Sequence, residues 1–451
     1  MAVLRIWKKY WLIILENNSY KKTIFSWSIY DFANQPFTTI TITFIYSVFF
    51  AKFIFTGDLK EGTELWAMAI TISSLIIAFL SPIMGAIADN GGYRKLFLIF
   101  WTWICIIFSF CLYFPVQGDV FNALLFFCIA NIGFEMGGVF LNAYLPEIAP
   151  KDKIGRISGY GWSFGYVGGL IALALCYALF VYPDNPINPL TGKLLDLNTG
   201  ENIRIINVFI AIWFAIFSIP TFLYMKENKK PKKAKHINNL INDSFRQIRQ
   251  TFNQIKKYKD LTRFLIARIV YNDAIITVIF FGGQYATDQF KFDTGKLFLF
   301  AIVLNVFAGI GAFLLGFLDD VLGGKKTIQI TNFGFVIACL IAFLAPLFVY
   351  GESLFWFAGC LIGIFMGPNQ ASSRSLMGRL IPKNKENEFY GFFAFSGKAT
   401  AFLGPLLFKQ VLHYTGNMRW SILMIALLFV IGILLLKNVD EKEGISIARM
   451  D

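Results

Sequence analysis

The sequence predicts an all-α polytopic membrane protein with twelve transmembrane helices in two pseudo-symmetric six-helix halves. Three observations predict it. First, 56% of the 451 residues are hydrophobic and only 15% are charged, whereas a soluble domain has about 25% charged residues. Second, apolar stretches nearly free of charge recur along the chain, each long enough to cross a bilayer as a helix. Third, GAIADNGGYRK at 85–95 returns as GFLDDVLGGKK at 316–326. Gly85, Asp89 and Lys95 match Gly316, Asp320 and Lys326 at one offset. Pro150, Gly159 and Gly165 match Pro382, Gly391 and Gly397 at an offset one residue larger. Two segments sharing nearly one offset mark an internal duplication.

Taken in order, residues 1–25 carry Arg5, Lys8, Lys9, Lys21 and Lys22 around an apolar run at 10–15 that is too short to span. An interfacial segment is expected there, and no small-residue cleavage site follows it. Spans are expected near 26–53, 66–88, 96–116, 120–145, 157–182 and 205–225, which form the first half, 26–225. The second half, 261–437, holds spans near 261–286, 297–322, 327–350, 354–380, 389–412 and 420–436. Between the halves, 226–260 opens with KENKKPKKAK. Ile237, Leu240, Ile241, Phe245, Ile248, Phe252 and Ile255 then recur at spacings of three and four. That is one apolar stripe on a basic helix, expected along the inner membrane surface. Residues 438–451 form a short tail.

The formal charge of +13 does not point to nucleic acid, because it is distributed by side. Of the 41 basic residues, 30 fall on one side of the expected spans and 7 on the other. The remaining four, Arg268, Arg374, Lys398 and Lys409, lie inside spans. The basic side is therefore expected to be the cytoplasm, with both termini in it. All six cysteines sit in apolar spans and no CxxC occurs, so neither a disulfide framework nor a metal site is expected. No GxxxxGK[ST] run and no nucleophile–base constellation stands out. Neither an enzyme, a cofactor nor ATP hydrolysis is expected.

The repeated motif falls in short loops after spans two and eight. Gly85 and Gly316 suit close helix approach. Asp89 and Asp320 can cap a neighbouring helix start or pair with a base. Arg94, Lys95, Lys325 and Lys326 follow a glycine turn, and the eight together are the expected gate. Two copies of G-x-x-x-D-x-x-G-x-[KR] among twelve spans resemble the loop signature of the major facilitator superfamily. The basic residue usual after the Asp is replaced by Asn90 and Val321.

Ionisable groups inside spans are costly and so are functional candidates. The clearest are Asp31, Glu135, Asp273, Arg374 and Lys398. All but Lys398 fall on spans one, four, seven and ten, which the resemblance makes the lining of a central cavity. Asp31 and Asp273 lie about 15 Å along their helices from Lys22 and Arg263, near mid-membrane. Repeat transporters place their binding site at that depth. Tyr30, Asn34, Gln35, Tyr271, Asn272 and Asn369 join them as candidate substrate ligands. Asn131, Trp162, Tyr166, Asn305, Gln370, Ser373 and Ser396 are further polar or aromatic candidates, equally able to serve as helix–helix contacts. Pro36 is expected to break span one, Gly404-Pro405 to bend span eleven, and Gly161, Gly165 and Gly169 to pack span five closely. Glu135, among Gly133, Gly137 and Gly138, is the expected proton carrier, since burial disfavours a charged carboxyl.

A closer resemblance appears in YDFANQPFTTITITFIYSVFF from 30, LPEIAPKDKIGRISGYGWSFGYVGG from 145, RIVYNDAIITVIFFGGQYA from 268 and SRSLMGRLIPKNKENEFYGFFAFSGKATAFLGP from 373. These look like the branch that includes the fungal autophagy-related vacuolar amino-acid effluxers and bacterial relatives. The resemblance implies a solute carrier. The expected function is secondary active transport of a small solute such as an amino acid or small peptide, coupled to protons. The expected protein is a monomer among membrane lipids, in a bacterial inner membrane. A non-transporting sensor or a lipid-handling scramblase on the same fold is the alternative. Topology is testable by labelling of single cysteines. Lys233→Cys should resist an impermeant thiol reagent in intact cells while Asn188→Cys reacts; labelling of position 233 from outside refutes the orientation.

Overall fold

The computed structural model describes residues 20–183, 186–188, 191–227, 237–253 and 256–450. Residues 1–19 of the expected N-terminal interfacial segment, the KENKKPKKAK run after Glu227, and Ile255 therefore lie outside the described residues. Twelve helices are long and apolar enough to cross a membrane. They are α1 (Tyr20–Ile54), α2 (Leu59–Gly91), α3 (Arg94–Cys111), α4 (Val120–Ile148), α5 (Ile154–Val181) and α6 (Glu201–Tyr224). The second set is α7 (Lys259–Phe290), α8 (Gly295–Leu322), α9 (Gly324–Leu347), α10 (Gly351–Leu380), α11 (Glu386–Thr415) and α12 (Met418–Lys437). Every expected span is found. Among the described residues β pairing is limited to one bridge, Ile187 with Leu194.

Large apolar side chains stay exposed along the helices, among them Phe79, Phe121 and Leu223. A surface of this kind is stable against lipid rather than water. The buried apolar residues divide into two clusters, one built mainly from α1–α6 and one mainly from α7–α12. Two cores within one chain are what a duplicated six-helix unit produces.

The halves meet closely through α2 with α11 and α5 with α8. Glycine permits this. A Cβ on Gly85 would collide with the backbone of Asn387, and one on Gly391 with that of Ser81. On the opposite seam a Cβ on Gly159 would strike the Ala312 carbonyl, and Gly316 lies against Arg156. Gly85/Gly316 and Gly159/Gly391 are the two repeat pairs read from the sequence, so each seam uses one member of each pair.

Several spans depart from regular α-helix: α4 turns at Ala143-Tyr144, α5 ends in π-helix over Tyr177–Val181, α9 ends in a 3-10 turn over Ala345–Leu347, and α1 and α11 are irregular along their length. After Pro36, α1 widens to π-helix over Phe37–Phe44 and again over Phe50–Ile54. In α11 the α-helix ends at Lys398 and restarts at Leu403. The interruption precedes Gly404-Pro405, as expected of a proline whose missing N–H and ring suit a helix start. The Asp273 carboxylate accepts the Gly404 N–H at 3.2 Å, satisfying one of the donors exposed there.

Two short helices cover the ends of the bundle that carry the basic loops. The linker helix (Ile237–Asn253) reaches both halves. Ser244 accepts from Asn90 in the last turn of α2 at 3.3 Å, and Thr251 accepts from Lys385 before α11 at 3.2 Å. The tail helix (Glu441–Met450) places Glu441 on the backbone N–H groups of Gly324 and Lys325, at 3.1 and 3.0 Å. The helix expected along the membrane surface is thus seated against the bundle, with Ser244 and Thr251 buried.

Overpacking a seam costs about 1–3 kcal/mol, so Gly85→Leu or Gly159→Leu should part the halves at the basic end without unfolding either. Thiol labelling of a Ser81→Cys reporter should then accelerate by about tenfold or more. An unchanged labelling rate in both variants refutes the close-approach role.

Candidate functional site

A cavity of about 660 Å³ lies between the halves, within the range of small-molecule sites. Its walls come mainly from α1, α4, α5, α7, α8, α10 and α11, with Cys339 and Ala342 of α9 and Ile422 and Ile425 of α12 behind them. It runs from Arg374 and Tyr390 at its base past Thr43, Gly283 and Leu297 towards the side opposite the basic loops.

The base of the cavity is charged. Arg374, on α10, donates to Asp31 of α1 at 2.9 Å and to Asn142 of α4 at 3.2 Å. It donates also to the Ser158 hydroxyl of α5 at 2.9 Å and the Ser158 carbonyl at 2.7 Å. Its guanidinium lies over the Trp27 ring, 4.5 Å from the centroid. One residue of the second half is thus bound by three helices of the first. Gly161 makes room for the pair, since a Cβ there would press on both Asp31 and Arg374. A second ion pair also crosses the halves: Lys398 of α11 meets Glu135 of α4 at 2.6 Å. Lys398 is the last residue of its half-helix, where the negative end of the helix dipole favours a cation. The sequence shows Glu135 among glycines with few polar neighbours. The fold supplies it with the Lys398 ammonium, so the isolation expected of it is not found.

Asp31, Asn34, Gln35, Glu135, Asn272, Arg374 and Lys398 all line the cavity, and so do Trp162, Tyr166, Asn305 and Gln370. Tyr30, Tyr271, Asp273 and Asn369 do not. Tyr30 bonds Thr102 at 2.6 Å, and Tyr271 bonds Ser373 at 2.8 Å. Asn369 donates to Thr331 and Asn332 at 2.9 Å each. Asp273 holds the restart of α11. These four have the expected depth but face neighbouring helices. Arg268 and Asn142 line the cavity without having been singled out as ligands. The signal for Arg268 was present, as a cation inside a span.

At the basic end, Asp89 accepts the backbone N–H groups of Asn387 and Glu388 at 3.3 and 2.8 Å and the Asn387 side-chain amide at 2.8 Å. Asp320 accepts the N–H of Gly155 at 2.8 Å and of Arg156 at 3.3 Å, and pairs with the Arg156 guanidinium. Each acid therefore sits on the first turn of a helix from the other half, where helix N–H groups and the dipole both attract a carboxylate. Gly155-Arg156 and Asn387-Glu388 share the offset of the second repeat, so the two contacts are equivalent.

The other motif residues divide. Arg94 crosses the halves, donating to Glu147 of α4 at 2.6 Å and to Glu386 and Asn387 of α11 at 3.2 Å each. Lys325 stays within its own half, donating to the carbonyls of Lys437 and Val439. Lys95 contributes its backbone N–H to Glu227 at 2.8 Å. Lys326 is exposed and its side chain enters no ion pair among the described residues. Asn90 reaches the linker helix instead of forming a cross-half ion pair. The sequence did not reveal Glu147, Glu386, Arg156 or Arg379, which pairs with Asp319 at 2.5 Å.

The family model described as vacuole effluxer Atg22 like matches residues 63–449. The chain belongs to this family. Its relatives include the MFS-type transporter YxiO of Bacillus subtilis, 28% identical over 94% of this chain and 96% of that protein. Autophagy-related protein 22-1 of Aspergillus fumigatus is 26% identical over 64% of this chain, which spans about half (48%) of the fungal protein's length. Among solved structures, the proton:xylose symporter XylE aligns with TM-score 0.69 at 15% identity, over 94% of this chain and 96% of that one. The human organic anion transporter MFSD10 aligns with TM-score 0.70 at 11% identity, over 92% and 99%. The family is one of transporters, and its fold is the major facilitator fold expected from the loop motif.

Each capping acid should hold the basic end closed. Asp89→Asn or Asp320→Asn should shift the balance between states by about 1–3 kcal/mol, more at Asp320, whose replacement also strands Arg156. Solute uptake should fall while detergent-extracted protein stays monodisperse. Native uptake rates in both variants refute the role.

Proposed function

We propose that the protein is a secondary active transporter that moves a small solute, an amino acid or small peptide, by alternating access coupled to protons. The observation that carries this reading is the pair of ion bridges across the cavity base, Asp31–Arg374 and Glu135–Lys398, each joining one half to the other. A rocking motion about that base has to lengthen or exchange these contacts. Asp31, Asn34, Gln35, Asn272, Arg374 and Lys398 are the solute-facing groups. Tyr30, Tyr271, Asp273 and Asn369 hold their helices in register behind them.

Coupling follows from the second bridge. Glu135 and Lys398 are both reachable from the cavity, with side-chain exposures of 22% and 26%. A proton arriving on Glu135 cancels its charge and releases the Lys398 ammonium. Loss of one bridge then lowers the cost of parting α4 from α11. Uncapping Asp89 and Asp320 from their helix starts opens the basic end, and return of the proton on that side restores the bridge. Residues 26–225 and 261–437 are the moving halves. The basic loops face the cytoplasm, the membrane is a bacterial inner membrane, and one copy of the chain suffices. Similarity to the vacuole effluxer family and to the proton:xylose symporter supports efflux or symport chemistry. The cavity between apposed halves supports a carrier over a sensor.

In proteoliposomes an inward-directed pH step should drive accumulation by the native protein, about tenfold per pH unit for one proton. Glu135→Gln should keep exchange and lose accumulation. Indifference of the native protein to the gradient, or normal accumulation by Glu135→Gln, assigns Glu135 a structural role.

A further inference from the structure

The cavity carries three cations and two carboxylates. Arg374 is paired with Asp31 and Lys398 with Glu135. Arg268, on α7, has no carboxylate partner among the described residues. It is 6% exposed and lines the cavity. Its Nη1 donates to the Phe393 carbonyl at 2.7 Å and the Ser396 hydroxyl at 2.8 Å, and its guanidinium lies 3.6 Å from the centroid of the Phe393 ring. These contacts fix the plane of the group and leave its charge unmatched. Among the described residues its Nε is buried without an acceptor and its Nη2 donates no hydrogen bond. Glu135 lines the same cavity but is held by Lys398. An unmatched guanidinium inside a membrane protein is costly to keep, and its free edge suits a carboxylate or phosphate oxygen.

The surroundings narrow the ligand further. Asn272, one turn along α7, faces the same cavity and is joined by Gln370. Farther from the base the walls turn apolar, through Phe134, Ile276, Ile279 and Leu304. The space is far larger than an inorganic anion. We infer that the solute is an organic anion with an apolar body, its charged group bound by Arg268. This rests on the transporter reading. Among amino acids and peptides it selects those with a net negative charge or a blocked amine.

Three probes with one side chain and different net charge test it: N-acetyl-leucine, leucine and leucinamide. Thermal unfolding of the purified native protein should shift upward with N-acetyl-leucine, less with leucine and not with leucinamide. Arg268→Gln should weaken the N-acetyl-leucine response by about tenfold or more, and Arg268→Lys should recover part of it. Stronger stabilisation by leucine or leucinamide overturns the assignment. So does the absence of any response to N-acetyl-leucine, or a full response in a monodisperse Arg268→Gln protein. The probe series on native protein stands even where that variant fails to fold. Counterflow in proteoliposomes separates the two readings. Arg268-dependent binding without counterflow removes the transporter and leaves the anion site. Counterflow of leucinamide removes the anion site and leaves the transporter.

Discussion

A guanidinium buried at the interface between two halves is the constraint on which the rest of this structure depends. Arg374 belongs to the second half, yet its hydrogen bonds end on α1, α4 and α5 of the first. Low dielectric makes each partner necessary, because an unpaired charge there costs several kcal/mol. The halves therefore cannot simply separate at this depth. They can pivot around it, and the surrounding features suit a pivot. Gly161 leaves space beside the pair, and Trp27 and Trp162 flank the guanidinium.

On the basic side the same problem is met by helix starts rather than by ion pairs alone. Asp89 and Asp320 each accept N–H groups that a helix leaves unpaired at its first turn. The contacts are equivalent, yet their settings differ. Arg156 faces Asp320, whereas its counterpart Glu388 stands beside Asp89 as a second acid. Arg94, between Glu147 and Glu386, supplies the balancing charge on that seam. Gln247 of the linker helix donates to Glu388 at 2.5 Å. The duplicated fold thus keeps the geometry of its two seams and redistributes their charge. The linker helix covers the seam that has the excess of acid.

Two of the backbone irregularities lie at the cavity. Non-helical backbone at membrane depth is tolerated where it is buried in protein or lines a cavity. The interruption of α11 meets that condition. It puts Lys398 at the end of one half-helix, aimed at Glu135, and Gly404 at the start of the next, under Asp273. The widening of α1 after Pro36 lies on the same wall as Asn34, Gln35 and Thr38.

The sequence by itself determined the twelve spans, the two halves, the sidedness of charge and the acids of the two seams. Those properties are one-dimensional: apolar run length, a constant offset, and the order of charges between runs. It also determined depth, because distance along a helix from a flanking base is distance into the membrane. Only the tertiary structure decided direction around each helix. Tyr30 and Asp31 share a depth, but successive residues differ by about 100°, so Asp31 lines the cavity while Tyr30 packs on Thr102. The same rotation turned Tyr271, Asp273 and Asn369 towards neighbours and Arg268 towards the cavity. It also chose partners 343 residues apart, Arg374 for Asp31. No local pattern encodes such a pair, because it exists only where the two halves are pressed together.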